Sequence, residues 1–149
     1  MNRVLFASDK TEWSTPQAFF DALNAEFHFT LDAAATAENA KCTRYYTEQD
    51  NALSQVWSDV VWCNPPYGRD TRAWFAKARE AQQQGATVVM LVPARTDTKW
   101  WHEHVQGIAS EVRFVKGRLK FGGSKNSAPF PSAVIIYRPE IGAHIGSNR

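Results

Sequence analysis

The chain has 149 residues, 44% apolar and 21% charged, with a formal net charge of +2. That composition excludes a disordered chain and suits one globular core, so residues 1–149 read as one domain, ordered from about 11 to 138. No apolar run reaches the ~20 residues of a membrane span, and the apolar stretch within Met1–Lys10 is too short for a signal peptide, which together imply a cytoplasmic protein with no membrane partner. Cys42 and Cys63 read as reduced thiols in or near the core, and His102 and His104 find no third ligand at useful spacing, so no metal is expected.

In chain order, Thr15-Pro16 reads as a helix start, with Thr15 at the N-cap and Pro16 at the first helical position. Phe19, Phe20, Leu23 and Phe27 follow at helical spacing. The period changes to two over Phe27, Phe29 and Leu31, which predicts a short strand ending in Asp32-Ala33-Ala34-Ala35. Val60 to Cys63 is a continuous apolar run, as in a strand buried on both faces, and it stops at Asn64-Pro65-Pro66-Tyr67-Gly68 because proline has no amide to continue a ladder. Trp74, Phe75, Ala78 and Ala81 form the stripe of a helix that Gly85 ends. Thr87 to Val92 is a second buried strand, stopped by Pro93. A short helix capped by Asp97 carries Trp101, Val105 and Ile108. Val112–Phe121 and Ser132–Tyr137 complete the set as two strands, with Gly117-Arg118 in the first and a hairpin around Gly122-Gly123. Strands alternating with helices predict an α/β fold with a mostly parallel sheet and an antiparallel C-terminal strand pair. Ligands bind beyond the C-terminal strand ends of such sheets, so Asp32, Asn64 and Arg95 should face one crevice. Trp13, Trp100 and Trp101 sit in polar surroundings and are candidates to line it.

Asn64-Pro65-Pro66-Tyr67 carries the strongest chemical signal. Asn64 offers a side-chain carbonyl and Pro65 a backbone carbonyl, held by a stiff backbone, and Tyr67 offers a flat face. Two acceptors beside an aromatic ring suit a planar amino group whose lone pair is delocalised. The motif, its neighbours and their order resemble the N6-adenine DNA methyltransferases with Asn-Pro-Pro-Tyr, and most closely the short phage-encoded Dam-type family. The matching stretches are Trp13-Ser14-Thr15-Pro16-Gln17, Leu31-Asp32-Ala33-Ala34, Asn64-Pro65-Pro66-Tyr67, Pro93 to Trp100, Gly117 to Phe121 and Pro129-Phe130-Pro131-Ser132.

The resemblance implies a single-domain Rossmann-like methyltransferase fold and S-adenosylmethionine as cofactor. It also implies a site-specific transfer to adenine N6 in double-stranded DNA, in a bacterial host, from a phage or prophage gene. It assigns Asn64, Pro65, Pro66 and Tyr67 to catalysis. Thr15 and Pro16 would touch the methionine end of the cofactor, Asp32 its amino group, Ala33 and Ala34 its close approach, and Asp50 its adenine amino group. No glycine-rich loop follows Asp32, and the ribose-contacting acid has no clear counterpart, Glu38 and Glu48 being candidates. From Arg113 onward the chain is basic, with Glu140 its only acid, which suggests one positive face. Arg95, Lys99, Arg118 and Lys120 are the expected phosphate contacts. No separate target-recognition domain is expected, so sequence specificity would come from the loops around these residues, and the small size suits a monomer or weak dimer. Two alternatives share the motif or the fold: a protein glutamine amide methyltransferase and a non-catalytic DNA-binding relative.

Overall fold

Period-two burial sorts the strands of this chain onto two apolar layers, and a computed structural model shows how they join. It describes residues 14–68, 70–122 and 126–139. Trp13, Gly123, Lys125 and the stretches 1–10 and 140–149 lie outside the described residues. The elements are α1 (Gln17–Phe27), β1 (Leu31–Asp32), two 3-10 turns (Glu48–Asp50 and Ala52–Ser54), β2 (Val60–Cys63) and α2 (Thr71–Gln83). Then come β3 (Thr87–Pro93), α3 (Lys99–His104), β4 (Glu111–Phe114) and β5 (Ser132–Tyr137).

The strands form one five-stranded sheet in the order β1-β2-β3-β5-β4. β1, β2 and β3 are parallel, with Asp32 opposite Trp62 and Cys63 opposite Met90. β5 runs antiparallel to both β3 and β4, with Pro93 opposite Ser132 and Phe114 opposite Ala133. The expected antiparallel final pair is present, but β5 is inserted between β3 and β4, so β4 runs in the direction of the first three strands. The ends of β1 to β4 and the start of β5 therefore share one edge of the sheet, and the loops leaving Asp32, Cys63, Pro93 and Phe114 emerge together.

Alternate side chains face opposite layers. Leu31, Val61, Cys63, Val88, Met90, Val92, Ile135 and Tyr137 pack with Trp74, Phe75, Ala78 and Ala81 of α2 and with Trp101. Trp62, Val89, Leu91, Val134 and Ile136 pack with Phe20 and Leu23 of α1 and with Phe121 and Phe130. Helices thus cover both faces, which is why β2 and β3 read as unbroken apolar runs.

Several boundaries differ from the sequence reading. Thr15 does not cap α1; Pro16 is the N-cap, and its carbonyl accepts from the Phe20 N–H at 3.1 Å. The strand predicted over Phe27–Leu31 begins only at Leu31, because His28 closes α1 in a left-handed conformation (φ 59°) and the Asn24 side chain takes the Phe29 N–H at 2.8 Å. Phe29 instead packs its ring with Phe20 and Trp62 at centroid distances of 5.4 and 5.5 Å. Thr98, not Asp97, caps α3 by accepting from the Trp101 N–H at 3.3 Å, and Ile108 lies beyond that helix. The strand expected over Val112–Phe121 is confined to Glu111–Phe114: Gly117 turns the chain at φ 73°, so Gly117-Arg118 stands in a loop rather than a strand.

Candidate functional site

The turn after β2 presents its polar groups at the shared sheet edge. Burial of Val61, Trp62 and Cys63 anchors the strand, and Pro65, which is also buried, stiffens the exit. The half-buried Asn64 amide is held at both ends: its Nδ2 donates to Thr15 Oγ1 at 3.1 Å, and its Oδ1 accepts from the Tyr67 hydroxyl at 2.7 Å. Leu91 offers the phenol a second carbonyl at 3.3 Å. Burial pushes the Tyr67 phenol well above its ordinary range, so it stays protonated and donates. The Tyr67 ring meets Phe121 and Phe130 near right angles, at 6.4 and 5.6 Å. Gly68, at φ 144°, then turns the chain toward α2, and the Thr71 hydroxyl closes that turn by donating to the Gly68 carbonyl at 2.7 Å.

A cleft of about 380 Å³ opens beside this turn, bounded by Tyr67, Thr71, Arg95, Trp100 and Phe130. Trp100 stacks on Phe75 at 5.1 Å, which fixes its ring, and the Arg95 guanidinium lies 5.8 Å over Phe130. The cleft is within the size range of small-molecule pockets, and Tyr67, Trp100 and Phe130 give it three aromatic walls beside Pro93, Pro129, Thr71 and Arg95. Of the tryptophans proposed to line a site, Trp100 does so; Trp101 is buried in the core. The sequence reading gives neither Phe130 nor Thr71 a place in the site, although Phe130 stands in a family-matching stretch. An aromatic between two prolines, Pro129-Phe130-Pro131, was the available signal for the first; Thr71 reads as an ordinary helix-start residue.

Asp32 ends β1 and is 3% exposed. Its carboxylate accepts from the Lys41 N–H at 2.9 Å and the Ala34 N–H at 3.3 Å, so it clasps the loop that follows it. Burial raises its pKa to about 6, against the lowering effect of those two backbone donors. Ala33 is fully buried and Ala34 is half-buried. A carboxylate raised by desolvation suits a neighbouring cation, and the small side chains after it allow close approach. Asp50 is exposed, and its carboxylate accepts from the Thr47 N–H at 2.7 Å and the Thr47 hydroxyl at 3.0 Å. Tyr45 bridges to Asp32 in parallel and the Tyr46 N–H bonds to the Asp32 carbonyl at 2.9 Å, which brings the chain leading to Asp50 alongside β1. Glu38 and Glu48 are both exposed.

Arg95, Lys99, Arg118 and Lys120 are all exposed. The first two follow β3 and the last two follow β4, so all four leave the same sheet edge. Between Arg118 and Lys120, Leu119 turns inward onto the α1-side core. The single positive face expected from Arg113 onward is not formed by every basic residue there. Arg113 pairs with Glu26 of α1 at 2.7 Å and Glu111 at 2.6 Å, and Arg138 with Glu111 at 2.8 Å. Both guanidiniums lie over the Phe27 ring, at 5.6 and 5.9 Å. The acid that draws Arg113 away, Glu26, is too distant in sequence for a local charge count to include. Among the described residues no group of His, Cys, Asp and Glu is arranged to hold a metal, and no helix is long and apolar enough to cross a membrane.

A DNA N-6-adenine-methyltransferase of Escherichia phage T1 is 34% identical over 110 residues, 72% of this chain and 45% of the relative. The chain thus spans less than half the length of that relative. A DNA N-6-adenine-methyltransferase of Haemophilus phage HP1 is 27% identical over 141 residues, 89% of this chain and 82% of the relative. The family model described as DNA N-6-adenine-methyltransferase (Dam) matches residues 4–143. With nearly its whole length matched, the chain belongs to the DNA N-6-adenine-methyltransferase (Dam) family.

Proposed function

We propose that this chain transfers a methyl group from S-adenosylmethionine to the N6 amino group of adenine in double-stranded DNA, on a Rossmann-like sheet. The observation that carries this reading is the Asn64 amide, held between Thr15 and Tyr67 at the end of β2, with Tyr67 in turn lining the neighbouring cleft. The family and the two phage relatives supply the substrate class.

The cofactor, when bound, supplies an electrophilic methyl group on a positively charged sulfur. Asp32 would face its ammonium group, Ala33 and Ala34 would admit it close to the backbone, Thr15 and Pro16 would flank its methionine end, and Asp50 would take its adenine amino group. The base amino group is a weak nucleophile because its lone pair feeds the ring. Asn64 Oδ1 and the Pro65 carbonyl accept its two hydrogens, which raises electron density on nitrogen and orients the lone pair. A carbonyl oxygen accepts two hydrogen bonds, so the bond from Tyr67 is compatible with one from the substrate. Tyr67 gives the extruded base an aromatic face that offsets part of its lost stacking. Arg95, Lys99, Arg118 and Lys120 hold backbone phosphates around the cleft.

The test is transfer from methyl-labelled cofactor to unmethylated duplex DNA, with a protein extract as the competing acceptor. Label should enter DNA and be recovered on adenine N6 after hydrolysis to nucleosides. Label confined to protein would replace this reading with glutamine amide methylation, and label in neither would leave a DNA-binding relative.

A further inference from the structure

The Ser14-Thr15 segment joins three loops that are far apart in the chain. The Ser14 hydroxyl accepts from Asn39 Nδ2 at 3.0 Å, in the loop after Asp32. The Ser14 carbonyl accepts from the Gly122 N–H at 2.7 Å, in the loop before β5. Thr15, 5% exposed, accepts from Asn64 at the catalytic turn. We propose that Thr15 is a positioning residue whose buried hydroxyl holds the Asn64 amide so that its carbonyl, and not its NH2, faces the target amino group. The role rests on the proposed methyl transfer and differs from the cofactor contact that family resemblance implies for Thr15.

An asparagine amide rotated by half a turn exchanges an acceptor for a donor at nearly the same point. A donor in that place would oppose the hydrogens of the substrate amino group. Threonine and tyrosine hydroxyls can each donate or accept, so the two act as a pair. In the structure the Tyr67 hydroxyl donates to Asn64 Oδ1 at 2.7 Å, with the Leu91 carbonyl 3.3 Å away, so the two hydroxyls hold the amide at both ends. The NH2 end is then directed to Thr15. Removing the Thr15 hydroxyl leaves a half-buried NH2 without that acceptor and lowers the barrier to the inverted amide.

Thr15→Val deletes the hydroxyl at nearly constant volume, Thr15→Ser keeps it, and Thr15→Ala repeats the deletion if valine is not accommodated. In cofactor-free protein, the Asn64 side-chain NH2 resonances are identified by their loss in Asn64→Asp and followed by solvent exchange. They should be protected in wild type and Thr15→Ser and exchange rapidly in Thr15→Val. With labelled cofactor at saturation, Thr15→Val should lower kcat roughly tenfold, and Thr15→Ser should recover most of that loss. An unchanged kcat with the amide still protected overturns the proposal. So does a weaker cofactor Kd with kcat unchanged at saturation, which would make Thr15 a cofactor contact alone. A wild-type protein that transfers no methyl group to DNA overturns the methyl-transfer reading instead, a result distinct from an active wild type that Thr15→Val matches.

Discussion

Two polar regions reach the same edge of the sheet and are built in opposite ways. At the β1 and β2 ends, Thr15, Asp32, Asn64 and Tyr67 are buried or half-buried, and their polar atoms are bonded to protein partners, some close in sequence and others, as between Thr15 and Asn64, remote. In the β4–β5 segment, Arg118 and Lys120 are exposed, while Arg113 and Arg138 are drawn into ion pairs with Glu26 and Glu111. The difference follows from cost. A buried polar group left without a partner loses about 1–3 kcal/mol, so its geometry is strongly specified. Exposed charges contribute at most about 1 kcal/mol each to stability, and they act on association through the field they create. The first region is therefore suited to directing a reaction and the second to holding a polyanion.

Removing the chemistry of the first region should have the largest effect. Asn64→Ala is expected to lower kcat by roughly 10³-fold while cofactor affinity stays within a few fold, because the lost acceptor acts on the nucleophile. Calorimetric titration of the variant with cofactor checks the second half. If affinity collapses with kcat, the amide belongs to the cofactor site and the division drawn above fails.

The next effect is a pH dependence at Asp32. Its folded pKa, about 6, exceeds the ordinary 3.8, so the protonated carboxyl is the form the fold favours. Stability relative to Asp32→Asn should therefore be greatest in acid and decline as pH rises from about 4 to about 6. The loss is about 3 kcal/mol at roughly 1.4 kcal/mol per pH unit. Denaturant midpoints of both proteins across that window measure it, and a constant difference would mean that the Lys41 and Ala34 N–H bonds fully offset desolvation. A cofactor ammonium group beside Asp32 should bind more tightly above about pH 6 than below it.

Tyr67→Ala should weaken methylation by about 1–3 kcal/mol through lost stacking. Tyr67→Phe keeps the ring and should cost less, so similar losses in both would assign the effect to the Asn64 bond instead. The smallest effects are expected of the charges. Arg118→Ala and Lys120→Ala should each reduce the salt slope of DNA binding by about one unit. Arg113→Ala should leave that slope unchanged and alter stability by less than about 1 kcal/mol, since its partners are Glu26 and Glu111. A slope that falls equally for Arg113 would merge the two kinds of cation that the structure separates.

Much of the site was legible because its residues stand at strand ends, and strand ends are marked by a local change from apolar to polar. Asn64 follows a buried run and Asp32 an alternating one, and each stands at the end of its strand. Thr15 was legible as part of a motif, but its position as a helix cap was wrong by one residue, because its side chain is engaged by Asn64 rather than by α1. The β4 strand was read too long because Val115, Leu119 and Phe121 are apolar for a different reason: they pack from a loop onto the α1-side core. Alternating hydrophobicity cannot distinguish a strand from a loop whose side chains turn inward at intervals.

The sequence by itself determined the alternation of helices and strands, the two buried strands and the proline-stopped turn, since periodicity and proline act within a few residues. Tertiary structure alone decided that β5 inserts between β3 and β4, which brings Phe130 to the cleft, and that Arg113 turns to Glu26. It also decided that Thr15 grips Asn64 across 49 positions of chain. Those outcomes depend on which distant groups are desolvated together, and no local pattern carries that information.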